Sequence, residues 1–409
     1  MSLLYKLLLI FIFFLSKNVL IEAGINHRIT DAVILTLSFL LLLLYTNSMG
    51  RKCKEVYLII VAFIAYSFYK IYSDPSEGTR VLGLVLMLPV VTFGGLIYYE
   101  PSKQRSIRFW KDMSWILWGF YLVECGLAII ERIIQHNFFN WQLADGIQYY
   151  TIDIEDSAFR SFALIGHPLQ NALIVSTIMS FILISRLHLK LKFILWGIGY
   201  LAILSFNTRS SMVGNVLILV VYILHEILYS KQYTKKQKNG MFTFLVSFII
   251  IAFISVFVYG VGGRLREMGL YDEGSASVRV DIWKIFDVLP LQKFLLGFDF
   301  DQMERIMLGA GVEVTENFWI DYLLRYGLIF LSIFVMLYYI LIKKLYQGYS
   351  RFHILLTFLA FILIASTNNS LSTGWHPIFI YLVCIVLFKP SFFNENKVHR
   401  KSVIKLVAQ

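Results

Sequence analysis

The chain has 409 residues, 58% of them hydrophobic and 15% charged, with a net charge of +11 at neutral pH. Soluble domains carry nearer a quarter charged residues, so this composition leaves too little polar surface for a water-soluble fold. The basic residues sit in short segments between apolar runs, with no basic patch interleaved with aromatics, which excludes nucleic-acid binding and points to the positive-inside rule.

Apolar runs long enough to cross a hydrocarbon core recur along the chain and predict an all-α polytopic membrane protein with about 12 transmembrane helices. Their expected positions are 3–21, 30–48, 55–71, 80–99, 112–134, 166–185, 191–207, 210–229, 241–260, 317–342, 353–370 and 376–389. Leu3 to Leu15 has the character of a signal-peptide core, but Ser16-Lys17-Asn18 offers no small-x-small cleavage site. The segment therefore reads as an uncleaved first span. Arg51, Lys52 and Lys54, then Lys103, Arg105, Arg108 and Lys111, then Arg186, Lys190 and Lys192 follow spans two, four and six. Lys231, Lys235, Lys236 and Lys238 follow span eight, Lys343, Lys344 and Arg351 follow span ten, and Lys397, Arg400, Lys401 and Lys405 follow span twelve. Every basic connection thus has the same parity, which places both termini in the cytoplasm. Cys53, Cys125 and Cys384 fall in no external loop, so no disulfide framework is expected.

The expected organisation is transmembrane helices 1–5 (1–134), an external loop (135–165), helices 6–9 (166–260), a large external loop with an amphipathic helix (261–316), helices 10–12 (317–389) and a basic cytoplasmic tail (390–409). The first loop is acidic, with Asp145, Asp153, Glu155 and Asp156; no internal repeat is visible.

Four polar clusters lie on the external side. Arg160 precedes Gly166-His167-Pro168 and Asn171, with Pro168 suited to a helix start. Asn207-Thr208-Arg209-Ser210-Ser211 forms a tight turn between two spans. In the large loop Val278, Ile282, Ile285, Phe286 and Leu289 share one helical face, and Arg279 and Trp283 are four apart, a pairing of charge and aromatic platform suited to a sugar. Thr315, a candidate helix cap, leads into Glu316-Asn317, and Asp321 and Arg325 stand at i and i+4, able to neutralise each other. Singly, each has a plainer reading: Arg160 and Arg209 as arginines at the lipid phosphates, His167 as structural, Trp283 as interfacial, Glu316 as a charge near a helix N-terminus. Together, with Arg264 or Arg266, the arginines suit a pyrophosphate, which needs several bidentate donors.

In order and spacing, Arg160 with Gly166-His167-Pro168 and Asn171, Arg209-Ser210, Arg279 with Trp283, and Glu316-Asn317 ahead of Leu323 and Gly327 resemble the O-antigen ligase and polysaccharide polymerase superfamily of the bacterial inner membrane. The resemblance runs from about Arg160 to Phe330. It implies a GT-C-like glycosyltransferase arrangement, no metal and no cofactor, and an undecaprenyl-pyrophosphate-linked oligosaccharide as substrate. By the same resemblance, Arg160, His167, Arg209, Arg279, Trp283 and Asn317 bind the donor, and Glu316, Arg279 and Arg209 are catalytic. Membrane lipids, a flippase and a chain-length regulator are the expected partners. Ligases of the superfamily commonly place a histidine where Glu316 stands, so a polymerase is favoured over transfer to lipid A core. A monosaccharide transferase would want an acidic pair in the first external loop, where Glu22 and Asp31 are nine residues apart. A lipid-linked sugar flippase is the alternative outside the enzymes.

Overall fold

The computed structural model describes residues 2–25, 104–139, 141–142, 148–149, 159–258, 282–289, 294–312, 315, 317–367, 370–373 and 376–389, with a few positions between 33 and 72. The expected spans at 30–48, 55–71 and 80–99, the acidic residues of the first long loop and the basic tail lie outside the described residues.

The described architecture is helical apart from a two-residue antiparallel ladder, β1 (Trp141–Gln142) and β2 (Gln148–Tyr149). Its helices are α1 (Ser2–Phe14), α2 (Lys17–Glu22), α3 (Gln104–Ile134), α4 (Pro168–Ile184), α5 (Leu189–Phe206), α6 (Arg209–Leu228) and α7 (Lys235–Phe257). After the large loop, which contains α8 (Ile285–Val288) and α9 (Phe300–Gly309), come α10 (Phe318–Leu345), α11 (Arg351–Ala365), α12 (Ser370–Thr373) and α13 (His376–Leu387). Five described helices are long and apolar enough to cross a membrane, within α3, α5, α6, α7 and α10. This suits a polytopic membrane protein.

Local chemistry fixes where these helices begin and end. Pro168 opens α4, where its missing N–H would have no intrahelical partner. Asn207 closes α5 in the left-handed conformation (φ 53°, ψ 47°), a conformation Asn tolerates at a helix end. Thr234 and Gln237 form a reciprocal capping box on α7. The expected first span at 3–21 is two helices rather than one. The Ser16 side chain accepts from Val19 N at 3.4 Å and donates to the Leu164 carbonyl, so a capping hydroxyl interrupts the helix.

Helix α4 is the centre of the bundle: every residue in it except Leu169 is buried, and α5, α6, α11 and α13 pack around it. Helix α7 is peripheral, with Phe242, Ile250, Ile251 and Phe253 more than half exposed. A helix apolar on its outer face is at home against lipid and out of place in water.

The basic ends converge. Lys192, at the start of α5, donates to the Leu183 carbonyl at the end of α4 (2.8 Å) and to Tyr222 near the end of α6 (3.3 Å). Lys238 reaches the Ile227 carbonyl (2.7 Å), His225 stacks on Phe352 with ring centroids 3.4 Å apart, and Tyr349 donates to the Ile385 carbonyl (2.7 Å). The turns carrying Arg186, Lys190, Lys231, Lys235, Lys343, Lys344 and Arg351 therefore share one end of the bundle.

Part of the large loop forms a second apolar cluster in which Ile282, Ile285, Phe298, Met303 and Met307 pack on Ile320 and Leu324 of α10. The amphipathic helix expected from Val278 to Leu289 is, over its described part, a 3-10 turn (Ile282–Lys284) running into the single turn of α8. Ile282 and Ile285 face inward as expected, but Phe286 is on the exposed side, stacked with Trp283. Helix α9, capped by Asp299, had not been expected.

Candidate functional site

At the end of the bundle opposite the lysines, two sequence-distant segments meet and a third is tied to the same end through a short helix. The first runs from Phe159 to His167. It was expected as the last part of an exposed loop, yet Phe159 and Ser161 to Ile165 are buried. An irregular segment inside a bundle must find partners for its backbone. Here α3 supplies them. The Glu131 carboxylate accepts from Phe162 N and Ala163 N (2.9 Å each) and from the Ser161 hydroxyl through one oxygen, and from Phe138 N (2.9 Å) through the other. Glu124, seven residues earlier and on the same helix face, accepts from Leu164 N (3.1 Å). Asn137 accepts from Phe162 N (3.2 Å), and Asn171 donates to the Phe162 carbonyl (2.6 Å).

The second segment is the turn between α5 and α6. Ser161 N donates to the Ser205 carbonyl (3.1 Å), and the Asn207 side chain donates to the Phe159 carbonyl (3.3 Å), which also accepts from Arg132 (3.2 Å). The residues flanking Arg160 are thus bound to the turn that carries Arg209. Both arginines are half-buried, while Asn207, Thr208 and Ser211 are buried.

The third segment is the start of α10, joined to α4 through α12. Gln170 donates to the Ser370 carbonyl (3.4 Å), Tyr322 to the Leu371 carbonyl (2.7 Å) and the Trp319 indole to the Ser366 hydroxyl (3.1 Å). Asn317 caps α10, accepting from Trp319 N (2.9 Å) and Ile320 N (3.5 Å). The expected cap, Thr315, instead donates to Asp321 (2.9 Å). Asp321 also receives Arg325 Nε at 2.9 Å on both carboxylate oxygens, so this pair does neutralise itself within the helix.

His167 lies one residue before α4, with its Nδ1 shielded from solvent. Burial pushes its imidazole down to about 4, which keeps it neutral at pH 7. It could meet a ligand as a neutral hydrogen-bonding group but not as a cation. Trp283 is 60% exposed on the second cluster. Arg279 and Glu316, with Arg264 and Arg266, lie outside the described residues.

Glu124 and Glu131 are functional positions beyond the four external clusters. The signal was available: two acids seven apart in an apolar run lie two turns apart on one face. Among the described residues, no three His, Cys, Asp or Glu side chains could together hold a metal ion.

No protein family matches the chain, and no curated protein matches it at a significant level.

Proposed function

We propose that the protein is a polysaccharide polymerase, of the O-antigen, capsule or exopolysaccharide kind, that joins undecaprenyl-pyrophosphate-linked repeat units on the external face of a bacterial inner membrane. It is read as a GT-C-like enzyme of about twelve spans with both termini cytoplasmic. The observation that carries the reading is the bonding of the Arg160 segment to the turn that carries Arg209, with the start of α10 tied through α12 to the same end of α4, away from the lysine-rich turns.

In this reading Arg160, Arg209 and Arg279 grip the donor pyrophosphate, whose oxygens match guanidinium forks, and Trp283 offers a face to a sugar ring. The acceptor hydroxyl oxygen bonds to the donor anomeric carbon as that carbon's bond to the pyrophosphate oxygen breaks. Glu316 takes the hydroxyl proton, and the lipid pyrophosphate leaves as the anion that Arg209 and Arg279 stabilise. His167 and Asn317 line the same end, His167 as a neutral hydrogen-bonding group and Asn317 as the cap that sets the start of α10.

The test is elongation of purified lipid-linked repeat units by the reconstituted protein, without added metal or nucleotide sugar and with release of undecaprenyl pyrophosphate. Arg209→Ala should cut the rate on the order of a hundredfold. Movement of the lipid-linked sugar across liposomes without chain growth would replace this reading with a flippase, and transfer to lipid A core with a ligase.

A further inference from the structure

We propose that Glu131 is a positioning residue for Arg160: its carboxylate holds the backbone just after the arginine and so sets where the guanidinium stands. The inference rests on the reading of Arg160 as a donor-binding residue and adds a role for a side chain deep in α3.

Glu131 is 0% exposed. All four groups that reach it donate, the pattern suited to an acceptor-only carboxylate. Three of them come from consecutive residues, Ser161, Phe162 and Ala163, and converge on one oxygen. The segment they hold is strained: Ala163 has φ 43°, a left-handed conformation uncommon for a residue with a Cβ. On the other side of Arg160, the Phe159 carbonyl is held by Arg132 and Asn207. The Ser161 N–H is tied to the Ser205 carbonyl, four residues before Arg209. Arg160 is therefore fixed at both flanks, and through Glu131 its place relative to Arg209 depends on a carboxylate that lies on a different helix from either arginine.

Glu131→Gln keeps the shape and volume but replaces one oxygen with an NH2 group. Whichever way the amide turns, a donor then faces a donor, either Phe138 N or the three groups of residues 161–163. Glu131→Asp keeps the charge on a shorter arm, and Ser161→Ala removes a single donor for the case in which Glu131→Gln folds poorly.

Two readouts are needed, one independent of activity. Amide exchange of residues 159–166 in the reconstituted protein should quicken at least about tenfold in Glu131→Gln and less in Ser161→Ala. In the elongation assay, Glu131→Gln should raise KM for the lipid-linked donor about tenfold while kcat stays within about twofold, with partial recovery in Glu131→Asp. Unchanged exchange overturns the proposal. So does quickened exchange with wild-type KM, when Arg160→Ala is defective in the same assay. If apparent kcat falls only in proportion to lost folded protein while KM keeps its wild-type value, the role is structural and the proposal fails. If wild-type protein elongates nothing, the functional reading fails, and exchange still decides whether Glu131 holds the segment.

Discussion

Gly327→Ala tests the least expected feature of α10, a break inside a helix that the sequence reads as continuous. Gly327 has φ 78° and ψ 172°, a region open essentially only to glycine. A Cβ there would lie 2.4 Å from both Gly297 N and the Leu295 carbonyl oxygen. The contact is backbone against backbone, since residues 294–298 dock into the break. Phe298 N donates to the Leu324 carbonyl (2.7 Å), Leu328 N to Phe294 (3.0 Å) and Ile329 N to Leu295 (3.2 Å). Alanine adds conformational strain of about 1–3 kcal/mol. Relief of the clash takes one or two of those hydrogen bonds, about 1 kcal/mol each. The sum, about 2–5 kcal/mol, falls on the docking of the loop and not on the whole bundle, because the break sits beside the second apolar cluster. Local opening should then rise by about thirtyfold to a few thousandfold, at tenfold per 1.4 kcal/mol. Hydrogen exchange read by mass spectrometry over residues 294–300 measures this directly, with far-UV circular dichroism checking that helix content holds. Gly297→Ala, whose Cβ would meet the Arg325 carbonyl oxygen at 2.6 Å, should do the same, and the double variant should be clearly less than additive. Wild-type exchange in Gly327→Ala would refute the reasoning.

Two further outcomes are expected. Asp321→Asn removes the buried carboxylate that serves both Arg325 and Thr315, and should lower stability by about 2–3 kcal/mol, the lower end for a pair whose arginine is partly exposed, read as a fall in Tm. Replacing both charges together with apolar side chains should recover most of that loss, and a double variant worse than the single would contradict the pairing. His167 predicts a pH effect: its folded-state value of about 4 is below the ordinary 6.5, so the unfolded chain binds the extra proton between them. Its contribution is thus present above about pH 6.5 and is lost as pH falls toward 4, and His167→Gln should show a smaller drop in Tm between pH 7.5 and 5. Equal drops in the two proteins would rule this out.

Helix positions were legible because hydropathy and charge report length and side directly. The ends of α4, α5 and α6 lie within a few residues of those expected, since Pro168, Asn207 and the flanking lysines mark them locally. The turn that carries Arg209 was legible for the same reason. What stayed hidden depends on tertiary partners. Ser16 reads as one polar residue in an apolar stretch until the Leu164 carbonyl arrives to use its hydroxyl. Gly327 reads as a tolerated helix glycine until the backbone of 294–298 occupies the space a Cβ would take. Helix α9 is short and only partly apolar, so its burial through Met303 and Met307 was not visible along the chain.

The buried glutamates and the buried irregular segment are best understood as one feature. Residues 159–166 carry polar backbone groups into the bundle, where unmatched donors each cost about 1–3 kcal/mol. An apolar face on α3 would therefore exclude the segment, and a regular helix through 159–166 would leave Glu124 and Glu131 without their amides. Each makes the other tolerable. The outcome is an end of the bundle with a rigid floor, held by carboxylates that are turned inward and already used by the backbone. Arg160 and Arg209 stand half-buried at this same end. On the proposed reading, an anionic donor at this end faces Arg160 and Arg209, while both oxygens of Glu131 are already engaged by donors of the chain itself.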